Sequence, residues 1–253
     1  MPRLRPWQNG EKMLLYVIRH GDPIYNPDSL TPKGKRQAEA VARRLSVHGL
    51  DRIFSSPLGR AQDTARPTSE LLGIPIETED WTSENLAWGE FTFLDPEFNK
   101  KKRWLFSIPG FRFHEGKDHE RNPDWRDCDC LQNLEGEYDP KTCYDRIGPA
   151  SDDFLRRLGY EKTGNYYKII NANDQRVALF CHEGFTMCWF PYLLGIPPHL
   201  FWSAFSITHT GINIIHFENH KSGFTFPRCL SWDDLSHIYE ARLPLQHKNK
   251  IDI

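Results

Sequence analysis

Two segments join histidine, glycine and charge: Arg19-His20-Gly21 and His182-Glu183-Gly184. A guanidinium beside an imidazole is a poor structural pair, because nothing in it neutralises positive charge. The pair becomes sensible when a dianion sits between such groups. Arginine presents a rigid, permanently charged fork that matches phosphate oxygens. A neutral imidazole nitrogen is a competent nucleophile near pH 7, and a covalent intermediate splits one displacement into two easier steps. Glycine beside a reactive side chain lets the backbone turn and a ligand approach closely. Arg60 supplies a second guanidinium at the start of a helical segment. A cation there opposes the helix dipole, whereas phosphate is attracted to the same place. A lone histidine is usually structural. Two at matching positions, with two arginines, predict a phosphate pocket whose cation clamp takes the place of a metal.

These side chains need elements to hold them. Leu14-Leu15-Tyr16-Val17-Ile18 is too short for its own helix and reads as a buried strand ending at Arg19 and His20. Arg176–Cys181 reads as a second buried strand, ending at His182. Ligands of open α/β sheets bind at such carboxyl ends. Thr31 and Pro32 fit an N-cap and first helical position, followed by Ala38, Val41, Ala42 and Leu45 at helical spacing, with Gly49 beyond the end. Arg52-Ile53-Phe54-Ser55-Ser56-Pro57 reads as a short strand running into a turn, Leu58 opens a helix that ends near Leu72-Gly73, and Ile74–Glu77 is a third strand. The alternation predicts an α/β fold, a three-layer α/β/α sandwich with a mostly parallel central sheet.

Residues 85–148 break that pattern. They are rich in aromatic, basic and turn residues, among them Trp88, Trp104, Phe106 and the run Lys100-Lys101-Lys102-Arg103. A structureless loop of this length is unusual in a compact domain. The stretch is therefore expected to be a folded, aromatic-rich insertion within one domain over residues 1–253, serving as a cap or as a peripheral subdomain. Beyond it, Phe154, Leu155 and Leu158 mark a helix expected to continue irregularly towards Ile169-Ile170. A buried helix over Phe185–Leu194 should be kinked or interrupted by Pro191. Ile207–Phe217 and Phe224–Leu230 read as strands, and the polar tail from Gln246 as frayed. His209 and Thr210 interrupt an apolar run, which suits either pocket lining or a half-exposed strand.

The order of motifs resembles the histidine phosphatase superfamily, the phosphoglycerate-mutase-like enzymes. Arg19-His20-Gly21 is similar to its signature, Ser55-Ser56-Pro57 with Arg60-Ala61 and Thr64-Ala65 to its second block, and His182 with Gly184 to its last. The resemblance implies that His20 becomes a phosphohistidine and that Arg19, Arg60 and His182 hold the phosphoryl oxygens, with Gly21 beside them. It implies that Asn26 helps to hold phosphate and that Glu84 transfers the proton. Glu183 is a rival for that role, because a more distant branch carries an acid close after its late histidine; Glu90 is a weaker one. A mutase would be expected to carry cations just after the acid, whereas Asn85-Leu86-Ala87-Trp88 follow Glu84, and Pro23 replaces the small hydroxyl residue expected after the signature. Both departures favour hydrolysis of a small phosphate ester without metal or other cofactor. The alternatives are a mutase-type phosphotransferase, with cations drawn from Lys100–Arg103, or a phosphate-binding protein without turnover.

Composition sets the outer bounds. With 253 residues, 39% hydrophobic and 26% charged, the chain can build a sizeable core. A net charge of -2 argues against broad nucleic-acid or anionic-membrane binding. No signal-like or membrane-spanning apolar run is visible, and six cysteines are too sparse for a secreted disulfide scaffold, so a cytoplasmic protein with mostly reduced thiols is expected. Cys128-Asp129-Cys130 with Cys143 could hold a metal, but lacks the paired CxxC spacing.

Overall fold

The computed structural model describes residues 12–115, 125–131, 134–136, 144–247 and 251–252. The first half contains β1 (Lys12–Arg19), β2 (Pro23–Tyr25), β3 (Asp28–Leu30), α1 (Pro32–Ser46), β4 (Arg52–Ser55), α2 (Gly59–Leu72), β5 (Ile76–Thr78) and α3 (Glu84–Glu90). Hairpin strands β6 (Thr92–Asp95) and β7 (Lys101–Trp104) follow. The second half contains α4 (Ile147–Arg157), β8 (Tyr160–Thr163), β9 (Tyr166–Ile169), β10 (Arg176–Cys181), α5 (Glu183–Leu194), α6 (Pro198–Ala204), β11 (Ile212–Glu218), β12 (Phe224–Thr225), β13 (Arg228–Asp234) and α7 (Ser236–Glu240).

Six strands form the central sheet in the order β13-β11-β1-β10-β4-β5. Strands β1, β10, β4 and β5 are mutually parallel, and β11 is antiparallel to both β1 and β13. Side chains alternate faces along a strand. Leu15 and Val17 thus join one apolar cluster with Phe154 of α4 and Trp189 of α5. Tyr16 and Ile18 join the other, with Val41 of α1 and Ala65 of α2. Helices cover both faces, as the alternation of elements predicts, and β1 is buried on both sides as a central parallel strand should be.

The end of β1 is held against α1 by two glycines. The Thr31 hydroxyl accepts the Gly34 N–H at 3.0 Å and caps α1 as expected. This brings Gly34 so close to the turn that a Cβ on it would lie 2.3 Å from the Asp22 carbonyl oxygen. A Cβ on Gly21 would lie 2.8 Å from the Gly34 carbonyl oxygen.

Several expectations are corrected. The helix carrying Phe154 stops at Arg157 instead of continuing towards Ile169-Ile170. Gly159, at φ +101°, turns the chain where a Cβ would lie 2.3 Å from the Asn171 carbonyl oxygen, and β8 and β9 then form a hairpin. Helix α5 runs through Pro191 to Leu194. The Met187 carbonyl, which Pro191 has no N–H to satisfy, accepts the Trp202 indole N–H at 2.8 Å. The strand expected from Ile207 begins at Ile212, because residues 207–211 form a loop beneath β1. The strand expected over Phe224–Leu230 is two, β12 paired with β9 and β13 paired with β11, and Gln246–His247 pair with Ile251–Asp252 where fraying was expected.

The insertion folds as α3, the β6–β7 hairpin and short 3-10 turns. Phe91, Phe93, Leu105, Phe113 and Leu131 from it join the same apolar cluster as α4 and α5. Cys128 and Cys130 are half-buried against that cluster, and burial pushes the Cys130 thiol up to about 12. Cys143 lies outside the described residues. Among the described residues, no helix is long and apolar enough to cross a membrane.

Overpacking a tight contact costs about 1–3 kcal/mol. Gly34→Ala is expected to lower unfolding free energy by that amount, read as a reduced urea midpoint. An unchanged midpoint would show that α1 and the Asp22 turn separate freely.

Candidate active site

Register brings the two histidines together. Arg19 of β1 stands opposite Cys181 of β10, so His20 and His182 are the next residue past each paired end. The His20 N–H donates to the Cys181 carbonyl at 2.9 Å, and the two imidazole centroids are 5.2 Å apart. His20 Nδ1 lies 2.7 Å from the Gly21 carbonyl oxygen. That contact assigns the proton to Nδ1 and leaves the lone pair on Nε2. His182 Nε2 lies 2.7 Å from Ser56 Oγ at the end of β4, and its buried Nδ1 has no hydrogen-bond partner. Both rings are almost fully buried, and burial holds both well below the ordinary histidine range. Each also feels nearby charge: His20 from His182 and Arg19, His182 from Arg60. They are neutral at pH 7.

Two guanidiniums join them. Arg19 Nη1 pairs with Glu183 Oε2 at 2.9 Å and donates to the Ile207 carbonyl, while Nη2 contacts His209 Nε2 at 3.0 Å. Arg60 pairs through Nη1 with Asp28 Oδ1 at 2.9 Å and through Nη2 with Glu84 Oε2 at 2.7 Å. The Nε of each arginine is buried and makes no hydrogen bond. Asp28 also accepts the Gly59 N–H at 2.7 Å. One carboxylate therefore caps α2 and holds Arg60, which offsets the conflict between a cation and the helix N-terminus.

Glu84 is the carboxylate closest to this chemistry. Its Oε1 accepts the Gly184 N–H at 3.0 Å at the start of α5, and its Oε2 lies 3.6 Å from His182 Nδ1. One ligand atom each of His20, Glu84 and His182 fall within 4.8 Å of one another. Glu183 also lines the pocket, but as the partner of Arg19. Glu90 is outside the lining, paired with Arg146 through both carboxylate oxygens at 2.5 and 2.7 Å. Asn26 corrects the resemblance: it is exposed at the turn of the β2–β3 hairpin, and its neighbours Tyr25 and Asp28 line the pocket in its place.

The cavity measures about 480 Å³. Besides the charged groups, its wall contains Asn85 and Trp88 of α3, with Trp104 and Phe106 of the insertion. The run Lys100–Arg103 is not in the wall. Lys100 pairs with Glu135 at 2.8 Å, and Arg103 pairs with Asp95 at 3.1 Å. Gly184 makes the wall possible, since a Cβ there would lie 2.5 Å from the Trp104 ring and 2.8 Å from Glu84 Oε1.

His20, Glu84 and His182 could in principle ligate a metal. The donor set opposes it: Arg60 Nη2 already occupies Glu84 Oε2, and a second guanidinium, Arg19, lines the same cavity. Such a site suits a dianion. His209 supports Arg19 from outside the lining, with Nδ1 3.6 Å from Asp22, and Thr210 at φ +61° donates its N–H to the Arg19 carbonyl at 3.1 Å. Sequence reasoning missed Asp28, whose only signal is an acid shortly before the α1 cap.

The chain matches the model of the histidine phosphatase superfamily (branch 1) over residues 15–228. It belongs to that superfamily. It is 23% identical over 248 residues to wheat (Triticum aestivum) 2-carboxy-D-arabinitol-1-phosphatase, covering 91% of this chain and 42% of that protein. It is 38% identical over 117 residues to a probable phosphoglycerate mutase of Yersinia pestis, covering 41% of this chain and 54% of that protein. The chain spans about half the length of the curated relatives it matches. Among solved structures, it resembles Entamoeba histolytica phosphoserine phosphatase (TM-score 0.55, 20% identity, 89% of this chain and 99% of that one). It also resembles mycobacterial glucosyl-3-phosphoglycerate phosphatase with inorganic phosphate (TM-score 0.56, 19% identity, 88% of this chain and 98% of that one). These likenesses establish the fold.

The buried imidazoles make stability pH-dependent. His20 and His182 are held well below 6.5; burial, then Arg19, lowers His209 to about 2, and burial lowers His237 to about 4. Below 6.5 the unfolded chain binds protons that the folded chain refuses, so stability falls with falling pH and is complete above 6.5. In phosphate-free buffer, each such histidine should cost about 1.4 kcal/mol between pH 7.5 and 5.5. Urea midpoints at the two pH values test this, and His209→Asn should shrink the difference. Equal midpoints would contradict the neutral assignment.

Proposed function

We propose that this member of the superfamily is a metal-independent phosphomonoesterase acting on a small phosphate ester through a phosphohistidine on His20. The observation that carries the reading is the set of unpartnered buried donors, Arg19 Nε, Arg60 Nε and His182 Nδ1, in residues gathered around a neutral His20. Phosphoryl transfer needs charge stabilisation and in-line positioning above all. In the first step His20 Nε2 attacks phosphorus while the bond to the ester oxygen breaks. Glu84 is the group that passes a proton to the departing alkoxide. The Nδ1–H bond to the Gly21 carbonyl holds the imidazole in the nucleophilic tautomer and stabilises the charge it gains. In the second step water attacks phosphorus, Glu84 takes the water's proton, and the P–N bond breaks with its electron pair returning to His20 Nε2, which releases inorganic phosphate. Arg19, Arg60 and His182 hold the phosphoryl oxygens throughout.

Glu84 is favoured over Glu183 as proton donor because it lies beside both histidines; each of the two acids pairs with one arginine. Hydrolysis is favoured over mutase chemistry because Arg19 and Arg60 are the only cationic side chains among the described lining residues, and a mutase must hold two anionic groups. The insertion supplies aromatic rings to the wall, which supports its reading as a cap.

Phosphate release from an aryl phosphate between pH 5 and 8, with chelator present, tests the mechanism. Wild type should turn over and His20→Ala should not; equal rates would remove His20 from the mechanism. Glu84→Gln should lower kcat by about 10²–10⁴-fold on an alkyl phosphate. It should lower kcat far less on an aryl ester whose leaving group departs without a proton. If Glu183→Gln instead shows that leaving-group dependence, Glu183 is the donor.

A further inference from the structure

The charge of the wall limits what the ester can carry on its far side. Two guanidiniums, Arg19 and Arg60, face three carboxylates, Asp28, Glu84 and Glu183. A phosphoryl dianion engages both cations. Any second anion on the substrate would find no remaining cation among the described lining residues, and like charge nearby. Removing such an anion from water without a partner is costly.

The rest of the wall offers ring faces. Trp104 and Phe106 are nearly parallel, with centroids 5.1 Å apart at 18°, and Trp88 meets Trp104 edge-on at 4.8 Å and 83°. Together they make an apolar corner. None of the three is fully buried, and Trp88 is 36% exposed. Trp104 and Phe106 pack against the core and also line the pocket, so the open parts of these rings are available to a ligand. Trp104 also lies against the start of α5 at Gly184, so the corner directly adjoins Glu84.

We infer that the site selects phosphate monoesters whose leaving alcohol is uncharged and carries a flat aromatic face, and rejects carboxylate-bearing esters such as phosphoserine and 3-phosphoglycerate. The inference rests on the phosphomonoesterase reading only for turnover; recognition can be measured apart from it. Aromatic groups stack on such a corner in offset or edge-on contact. Asn85 stands at its edge as a neutral hydrogen-bonding group for the alcohol.

Two measurements test this. The first is kcat/KM for 2-phenylethyl phosphate, propyl phosphate and phosphoserine, all esters of aliphatic alcohols. The expected order is phenylethyl over propyl over phosphoserine, each step at least tenfold. In Trp88→Ala and in Phe106→Ala the phenylethyl-to-propyl ratio should fall at least fivefold through KM, with Trp88→Phe restoring most of it. The second is calorimetric binding of 3-phenylpropylphosphonate and of the phosphonate analogue of phosphoserine to wild type. These lack the ester bond, so they report recognition with no turnover. The aryl phosphonate should bind at least tenfold more tightly. If nothing is hydrolysed but this order holds, the phosphatase reading fails and the ligand class stands. If the serine analogue binds equally well or better, or both alanine variants keep the wild-type ratio, the inference is overturned.

Discussion

Arg19 and Arg60 are each less than a tenth exposed, and they line one pocket with His20, whose imidazole burial keeps neutral. Taking a guanidinium out of water is costly unless partners satisfy it. Much of the surrounding structure supplies those partners. Glu183 sits at the first position of α5, Asp28 in the short hairpin after β1, and Glu84 at the start of α3. The loop before β11 contributes the Ile207 carbonyl and His209. Each arginine is thereby fixed by its terminal nitrogens while its Nε is left unsatisfied. A clamp held in this way needs little reorganisation to meet a phosphoryl group, and such preorganisation is where electrostatic catalysis gains most.

Close backbone approach is the second requirement. Gly21 and Gly34 let the turn after His20 rest on α1, and Gly184 lets Glu84 and Trp104 reach the start of α5. The insertion is tied to the same apolar cluster as α4 and α5, so its aromatic wall is backed by the core. One glycine thus lies where the charged side of the pocket meets its aromatic side. The region that gives the pocket its aromatic character is thus built into the same packing that supports the chemistry.

The arrangement of β1, α1, β4 and α2 was readable because each carries its own local signals: a short apolar run, a Thr-Pro cap, a glycine stop. The elements after the insertion were harder. Helix α5 runs through Pro191, and Trp202, eleven residues further on, satisfies the orphaned Met187 carbonyl. The helix of Phe154 ends because Gly159 meets Asn171. Neither event has a local signature. Asn26 and Asp28 show the same limit at the site. Two residues apart, one turns out to solvent and the other caps α2 and holds Arg60, a difference set by the hairpin and invisible in residue type.

By itself the sequence determined the α/β class, the superfamily, and the residues able to do chemistry: His20, His182, Arg19, Arg60 and a small choice of acids. These follow from local patterns and motif order, which need no long-range information. Tertiary structure alone decided that His20 and His182 face each other, since that depends on the parallel register of β1 with β10. It alone gave Glu84, Glu183 and Glu90 their different arginine partners, Arg60, Arg19 and Arg146. It alone turned a run of aromatic residues into a wall and kept Lys100–Arg103 out of it. Which face of an irregular segment meets the pocket is fixed by packing between distant elements, and no period in the chain records it.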